Sequence, residues 1–203
     1  MNFIEGEVLC INKPLYWTSF QLVNKVKHAL LKQLAVKKLK VGHAGTLDPL
    51  ATGVMIICTG KATKLIERYQ YQTKEYIATL ELGATTPSFD LEHPIDEQFE
   101  TAHITKELVH EKLAQFVGEI DQIPPVYSAV KVKGKRAFDY ARQGEEIELK
   151  PKKLVIDELE VLDFSLPILK IRIVCSKGTY IRALARDIGL ALKSGAHLVA
   201  LER

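Results

Sequence analysis

Alternating apolar and polar side chains predict a β-strand at residues 76–82, where Tyr76, Ala78, Leu80 and Leu82 share one face. A period of two is the pattern of a half-buried strand. Similar patterns and continuous apolar runs predict further strands at residues 8–12, 54–58, 154–164 and 168–175, and the last two should pair. Residues 131–136 are a candidate basic hairpin around Gly134.

Apolar residues spaced three and four apart predict three helices. The first follows Thr18, which stands three residues before Gln21 in the spacing of a capping box. The second is expected at about 105–116. The third is expected at about 179–193, with Thr179 as its N-cap.

Strands and helices are interleaved without a βαβ rhythm, and residues 83–104 are polar and punctuated by prolines. We therefore predict an α+β fold, with a mixed, mostly antiparallel central sheet, flanking helices and long loops. We expect residues 1–203 to form a single catalytic domain.

Composition adds few constraints. No apolar run approaches the roughly 20 residues of a membrane helix, and the N-terminus lacks the features of a signal peptide. We therefore expect a soluble, cytoplasmic protein that does not bind membranes. The three cysteines lie in separate apolar runs and are expected to be reduced core residues. The six histidines show no metal-ligand spacing, so we expect no metal.

Charge is distributed unevenly. Between Glu7 and Glu67 the chain holds nine lysines and one acid, Asp48. Residues 164–186 carry five cations and no acid, whereas residues 81–121 carry ten acids and two lysines. A basic face of this kind favours a polyanion such as nucleic acid. The alternative is a solvated lysine-rich surface.

Asp48 lies in GHAGTLDPLATG, residues 42–53. The segment has no periodicity and several breakers, so we predict a loop. Pro49 biases Asp48 towards extended backbone, and a carboxylate among lysines is suited to act as an ionised nucleophile or base. An ordinary turn aspartate is the alternative. Gly60 and Lys61 do not complete a Walker A motif, because Met55 stands at its first glycine.

GHAGTLDPLATG resembles the catalytic motif of the tRNA pseudouridine-55 synthases, the TruB family. Further stretches match that family in order along nearly the whole chain. They are Lys13-Pro14 with Thr18-Ser19, Lys74-Glu75-Tyr76, residues 122–131, residues 134–144 and residues 175–182. The chain also departs from the family pattern: Asn12 and Tyr16 replace the usual Asp and Gly, and His93 stands at a glycine position. The family normally continues into a C-terminal RNA-binding extension, which we expect this chain to lack.

The resemblance implies the isomerisation of uridine 55 in the T-loop of tRNA to pseudouridine, without cofactor or metal. Asp48 matches the catalytic aspartate, which would attack C1′ or C6 of the nucleotide or act as a base. Arg182 matches the arginine that pairs with that aspartate, and Tyr76 matches the tyrosine that stacks on the uracil. Considered alone, Arg182 would be a surface helix residue and Tyr76 a core tyrosine.

The resemblance also implies residues that bind the substrate. Tyr180 matches a second aromatic residue that contacts the base, and Leu201 matches a wall of the pocket. His43 matches a residue that fills the space left by flipped bases, although a loop histidine is more often simply exposed. Lys64 and the lysines of residues 25–40 are candidate phosphate contacts. We expect a monomer that binds the T-arm of tRNA and flips the target base.

Two other classes of function stay open from the residues alone. A non-catalytic RNA-binding or tRNA-folding protein could use the same basic surface. A glycosidase-like hydrolase could use Asp48, but it would need a second carboxylate, and none lies nearby in the sequence.

Overall fold

The computed structural model describes all of residues 1–203. The chain divides into two compact units. One comprises Met1–Thr73 with Leu201–Arg203, and the other comprises Lys74–Ala200.

The first unit is built around β3 (Ala51–Thr59). β1 (Val8–Lys13) runs antiparallel to β3, from Val8 opposite Cys58 to Lys13 opposite Gly53. β2 (Val41–His43) is antiparallel to the later part of β3, and the end of β12 (Ala196–Glu202) is parallel to its start. The loop of residues 44–50 therefore leads from β2 into the beginning of β3.

Helix α1 (Ser19–Gln33) confirms the predicted capping box. The Thr18 hydroxyl accepts the Gln21 amide hydrogen, and the Gln21 side chain accepts the Thr18 amide hydrogen. Leu22, Val23 and Leu30 bury the apolar side of α1. A 3₁₀ helix (Gly60–Leu65) and α2 (Ile66–Gln70) follow β3.

The second unit contains most of the antiparallel sheet. β12 lies beside β4 (Lys74–Leu82), followed by β11 (Ile168–Cys175), β10 (Lys152–Ser165) and β7 (Gly118–Gln122). The β10–β11 pairing and the alternation in β4 were both predicted. Ala78 and Leu80 of β4 face Ile171 and Leu169 of β11, and all four are buried.

Two helices of the second unit contact this sheet. They are α3 (Lys106–Ala114), which contacts β10, and α5 (Ile181–Ala191), which contacts β4. Two short ladders and a short helix complete the unit. They are β5 (Ala84–Thr85) with β6 (Glu97–Gln98), β8 (Lys131–Val132) with β9 (Lys135–Arg136), and α4 (Ala137–Arg142).

The α+β prediction, with a mostly antiparallel sheet, is confirmed. The predicted cap of α5 is wrong: Thr179 donates its hydroxyl to the Ser176 carbonyl, and Tyr180 is the N-cap residue. Cys58 and Cys175 are buried as expected, but Cys10 is exposed. None of the helices combines the length and the hydrophobicity needed to span a membrane.

Replacing Thr18 with Ala removes the cap of α1, so the free energy of unfolding should fall by about 1 kcal/mol. Urea denaturation of the purified protein measures this change. Thr18→Ser keeps the hydroxyl and should stay close to the wild type. An equal loss in both variants would contradict a capping role for Thr18.

Candidate active site

Asp48 lies half-buried in the loop of residues 44–50, between β2 and β3. Its carbonyl accepts the Ala51 amide hydrogen at 3.0 Å, which closes a tight turn into β3. The residues on either side of Asp48 are fixed to the segment that joins β1 to α1. The contacts on each side are of different kinds.

Before Asp48, Leu47 is held by Ser19, the first residue of α1. The Ser19 hydroxyl accepts the Leu47 amide hydrogen at 2.9 Å and donates to the Leu47 carbonyl at 2.8 Å. Both residues are buried. A buried hydroxyl with both partners satisfied fixes its neighbour more firmly than a solvated one.

After Asp48, the Pro49 carbonyl is held by two donors. The Tyr16 amide donates to it at 2.8 Å, and the Lys13 ammonium lies 3.4 Å away. Lys13 also donates to the carbonyls of Pro14 at 2.9 Å and Trp17 at 2.7 Å. One ammonium therefore ties the β1–α1 segment to the loop that carries Asp48.

Lys13 is completely buried, at 0% exposure. Burial lowers its pKa below the usual 10.5, and the negative charge of Asp48 acts in the opposite direction. Lys13 cannot contact RNA phosphates, so it must be removed from the predicted basic surface. Its charge acts inside the protein, on the loop of Asp48.

Arg203, the residue after β12, supports the same loop. Its guanidinium donates to the Val54 carbonyl at 2.9 and 2.7 Å and lies 3.5 Å from the carbonyls of Gly45 and Thr46. Gly53 has a φ of +105°, and a Cβ there would collide with the Arg203 backbone. Gly53 is therefore needed for this close approach.

The other predicted residues of the first unit occupy different positions. His43 ends β2 instead of lying in a loop, and its Nδ1 is buried without a hydrogen-bond partner. Lys64 is exposed on the 3₁₀ helix. Leu201 lies on β12, paired with Ala51 three residues beyond Asp48.

The second unit holds Tyr76, Tyr180 and Arg182. Tyr76 is 9% exposed on β4, opposite Ile173 of β11. Tyr180 is held by Gln122, whose side chain accepts its amide hydrogen at 2.9 Å and donates to its carbonyl at 3.2 Å. Next to Tyr180 is a cavity of about 630 Å³.

Arg182 is 6% exposed, so it is not a surface helix arginine. Its guanidinium donates to the carbonyls of Ser88 at 3.1 Å and Tyr127 at 3.0 Å, and its Nε lies 3.5 Å from Oδ2 of Asp90. The loops at residues 86–90 and 123–128 are thereby tied to the start of α5.

Sequence reasoning missed the supporting residues Ser19, Gln122, Asp90 and Arg203. Ser19 and Gln122 lie inside stretches that match the family. Their hydrogen-bond partners are 28 and 58 residues away, and local sequence does not indicate contacts at that separation. Asp90 lies in residues 84–90, which keep only part of a family pattern, and Arg203 lies in a further family motif, but neither was assigned a role. The cations of residues 164–186 are also less available than expected: Arg172 forms ion pairs with Glu75, Glu158 and Glu160.

Other nucleophiles and metal ligands are poorly placed. Burial raises the pKa of Cys175 to about 11 and also raises the pKa of Cys58, so both thiols stay protonated at neutral pH. No group of three His, Cys, Asp or Glu side chains is arranged to hold a metal ion. Asp48 stays the candidate carboxylate, because the residues on both sides of it are held by hydrogen bonds.

The model of the TruB family pseudouridylate synthases (N-terminal domain) matches residues 32–181 of this chain. The chain belongs to the TruB family of pseudouridylate synthases. As a TruB-family enzyme it is an isomerase. The family membership that the motifs predicted is thereby confirmed.

Relatives and solved structures agree with this family membership. The tRNA pseudouridine synthase B of Parabacteroides distasonis is 71% identical over 203 residues, which cover 100% of this TruB-family chain and 86% of that protein. A chain of a Cbf5-Nop10-Gar1 complex superposes with a TM-score of 0.72 at 29% identity, over 99% of this chain and 48% of that one. A chain of an H/ACA RNP bound to a substrate RNA containing 2′-deoxyuridine gives a TM-score of 0.67 at 26% identity, over 99% and 47%.

Replacing Lys13 with Met keeps much of the side-chain volume but removes the donor to the Pro14, Trp17 and Pro49 carbonyls. We expect the free energy of unfolding to fall by about 1–3 kcal/mol, since the part-buried carbonyls of Pro14 and Trp17 lose the bonds that the Lys13 ammonium donates. Lys32→Met, at an exposed position of α1, should change it by less than about 0.5 kcal/mol.

The same pair of variants tests the pKa of Lys13. Because that pKa is lowered in the folded state, the unfolded chain binds more protons between the lowered value and 10.5. The stability of the wild type relative to Lys13→Met should therefore rise with pH across this window. A difference that stays constant from neutral pH to pH 10.5 would contradict the lowered pKa.

Proposed function

We propose that this enzyme converts uridine 55 in the T-loop of tRNA to pseudouridine, with Asp48 as the essential carboxylate. The observation that carries the proposal is the anchoring of Leu47 and Pro49, which leaves Asp48 on a fixed turn. The relative from Parabacteroides distasonis, 71% identical over the whole chain, is named a tRNA pseudouridine synthase. tRNA is therefore the first substrate to test with this enzyme.

The reaction breaks the N-glycosidic bond, turns the uracil and forms a carbon–carbon bond from C1′ to C5. The proton at C5 is lost, and no net oxidation or hydrolysis occurs. An ionised carboxylate can attack C1′ or C6, or remove a proton as a base. Each route requires Asp48 to be charged and fixed in position.

We propose that Tyr76 and Arg182 serve the same reaction. Tyr76 would stack on the uracil and assist loss of the C5 proton. Arg182 would hold the catalytic carboxylate, because a guanidinium stays charged and can form two parallel hydrogen bonds.

Substrate binding is proposed for His43, Lys64, Tyr180 and Leu201. The cavity beside Tyr180 is also bordered by Lys131, Lys150 and Lys152, with Glu148 as its one acid, so it favours an anionic ligand. Lys64 is exposed, as are five lysines of the first unit between residues 25 and 40: Lys25, Lys32, Lys37, Lys38 and Lys40.

Uridine 55 must leave the folded T-arm to react, so we propose that the enzyme flips the base. Flipping costs a few kcal/mol, which phosphate contacts and stacking must offset. One structural neighbour was solved with a substrate RNA bound, which supports an RNA substrate for this scaffold.

We further propose that the enzyme acts as a monomer in the cytoplasm.

A tRNA transcript tritiated at uracil C5 tests the central role of Asp48. The wild type should release tritium, and Asp48→Asn should slow the release by roughly 10²- to 10⁴-fold, because its amide cannot act as nucleophile or base. Asp163→Asn, at an exposed position of β10, serves as the matched control and should leave the rate unchanged.

The same assay separates the competing functions. A transcript with cytidine at position 55 should release no tritium. Binding without release by the wild type would contradict catalysis and indicate an RNA-binding protein. Release of free uracil would indicate a hydrolase.

An acid added beside Asp48 should interfere with RNA. Thr46 is exposed two residues before Asp48, so Thr46→Glu should raise the KM for tRNA about 3- to 10-fold relative to Thr46→Gln. The difference should shrink as salt concentration rises. Equal KM values for the two variants at low salt would show that the absence of acids around Asp48 is unrelated to RNA binding.

A further inference from the structure

Tyr16 has a backbone conformation that disfavours its own side chain. Its φ is 66°, in the left-handed region that glycine adopts without steric cost. The only other aromatic residue with positive φ is Phe89, and its ring is covered by the guanidinium of Arg186 at 5.1 Å. The Tyr16 side chain, in contrast, is 74% exposed and contributes little to the core.

The strained backbone of Tyr16 is part of the anchor of Asp48. The Tyr16 amide donates to the Pro49 carbonyl at 2.8 Å, so the backbone of Tyr16 is fixed one residue from Asp48. Strained residues held in this way are concentrated at functional sites. The exposed ring therefore emerges from a rigid point beside the candidate catalytic carboxylate.

The same segment exposes a second aromatic ring. Phe20, the second residue of α1, is 71% exposed, and Leu15 is 43% exposed. Two large rings are therefore exposed within five residues of the chain. Such a concentration of exposed apolar side chains is typical of an interaction site. We call the surface of Leu15, Tyr16 and Phe20 the aromatic step.

The charge around the aromatic step indicates what it binds. No acid lies between Glu7 and Asp48 in the sequence, and Lys25 and Lys32 on α1 are exposed. A protein or lipid surface would account for the apolar side chains alone. Exposed rings on a segment that carries exposed lysines and no acid match single-stranded RNA, whose bases stack on aromatic side chains while its phosphates pair with lysines.

We propose that the aromatic step binds an unpaired base of the RNA substrate, stacked on Tyr16, with Phe20 extending the platform. The base is a neighbour of the reacting nucleotide and not that nucleotide itself, because Tyr16 lies on the support of Asp48. This assignment rests on the proposed function for its choice of RNA. It makes Tyr16 a specificity residue that a glycine at the same position could not replace.

Equilibrium binding of a T-arm stem–loop RNA to Tyr16→Gly, Tyr16→Ala and Tyr16→Phe tests the proposal. The Gly and Ala variants should bind about 5- to 100-fold more weakly, the range of one lost stacked base. Tyr16→Phe keeps the ring and should bind like the wild type. Tyr16→Gly should unfold at the same or higher urea concentration, because it removes strain, so weaker binding could not be attributed to misfolding.

A blunt RNA duplex with the same stem but no loop is the control for loop-specific binding. All variants should bind it equally. Equal losses on loop and duplex, or wild-type affinity of Tyr16→Gly for the loop, would overturn the proposal. A change in the sedimentation of the RNA-free protein on Tyr16→Gly would also overturn it, by showing that the aromatic step joins two copies of the chain.

Failure of the aromatic step is distinguishable from failure of the proposed function. Normal tritium release by the wild type with normal loop binding by Tyr16→Gly refutes only the aromatic step. Weakened loop binding by Tyr16→Gly without tritium release by the wild type refutes only the reaction.

Discussion

The first unit depends on a set of hydrogen bonds that fasten the loop of Asp48 to α1 and to the segment between β1 and α1. Ser19 holds Leu47 through two bonds, and Lys13 and the Tyr16 amide hold Pro49. Because the Ser19–Leu47 bonds are buried, breaking them leaves buried groups unpaired, which costs more than the loss of a solvated bond. The two sequence stretches, more than 25 residues apart, form one structural element.

This arrangement fixes the backbone of the loop that carries Asp48, the carboxylate for which we propose the essential role. Loops are usually the mobile part of a fold, yet a carboxylate that must meet one atom of a substrate has to be fixed beforehand. The flanking residues supply this rigidity to the backbone on both sides of Asp48. The buried positive charge of Lys13 interacts with the negative charge of Asp48. No other acid lies between Glu7 and Glu67, so Asp48 has no competing carboxylate nearby in the sequence.

Much of this could be predicted from the sequence, and the missing part has a physical cause. The capping box at Thr18 and the β10–β11 pair depend on local spacing, which a sequence shows directly. The motif around Asp48 identified the family. The role of Lys13 could not be read locally, because a lysine in a basic tract is normally solvated and only tertiary contacts reveal its burial. The predicted cap at Thr179 was wrong because α5 begins at Ile181, which makes Tyr180 the N-cap residue.

Amide hydrogen exchange at Leu47 measures how firmly the loop of Asp48 is held, since that amide donates to the buried Ser19 hydroxyl. We expect slow exchange in the wild type, comparable with the amides of β3, and faster exchange in Ser19→Ala together with a lower rate of pseudouridine formation. Exchange of Leu47 at the rate of an unprotected amide in the wild type would contradict a fixed Asp48 loop.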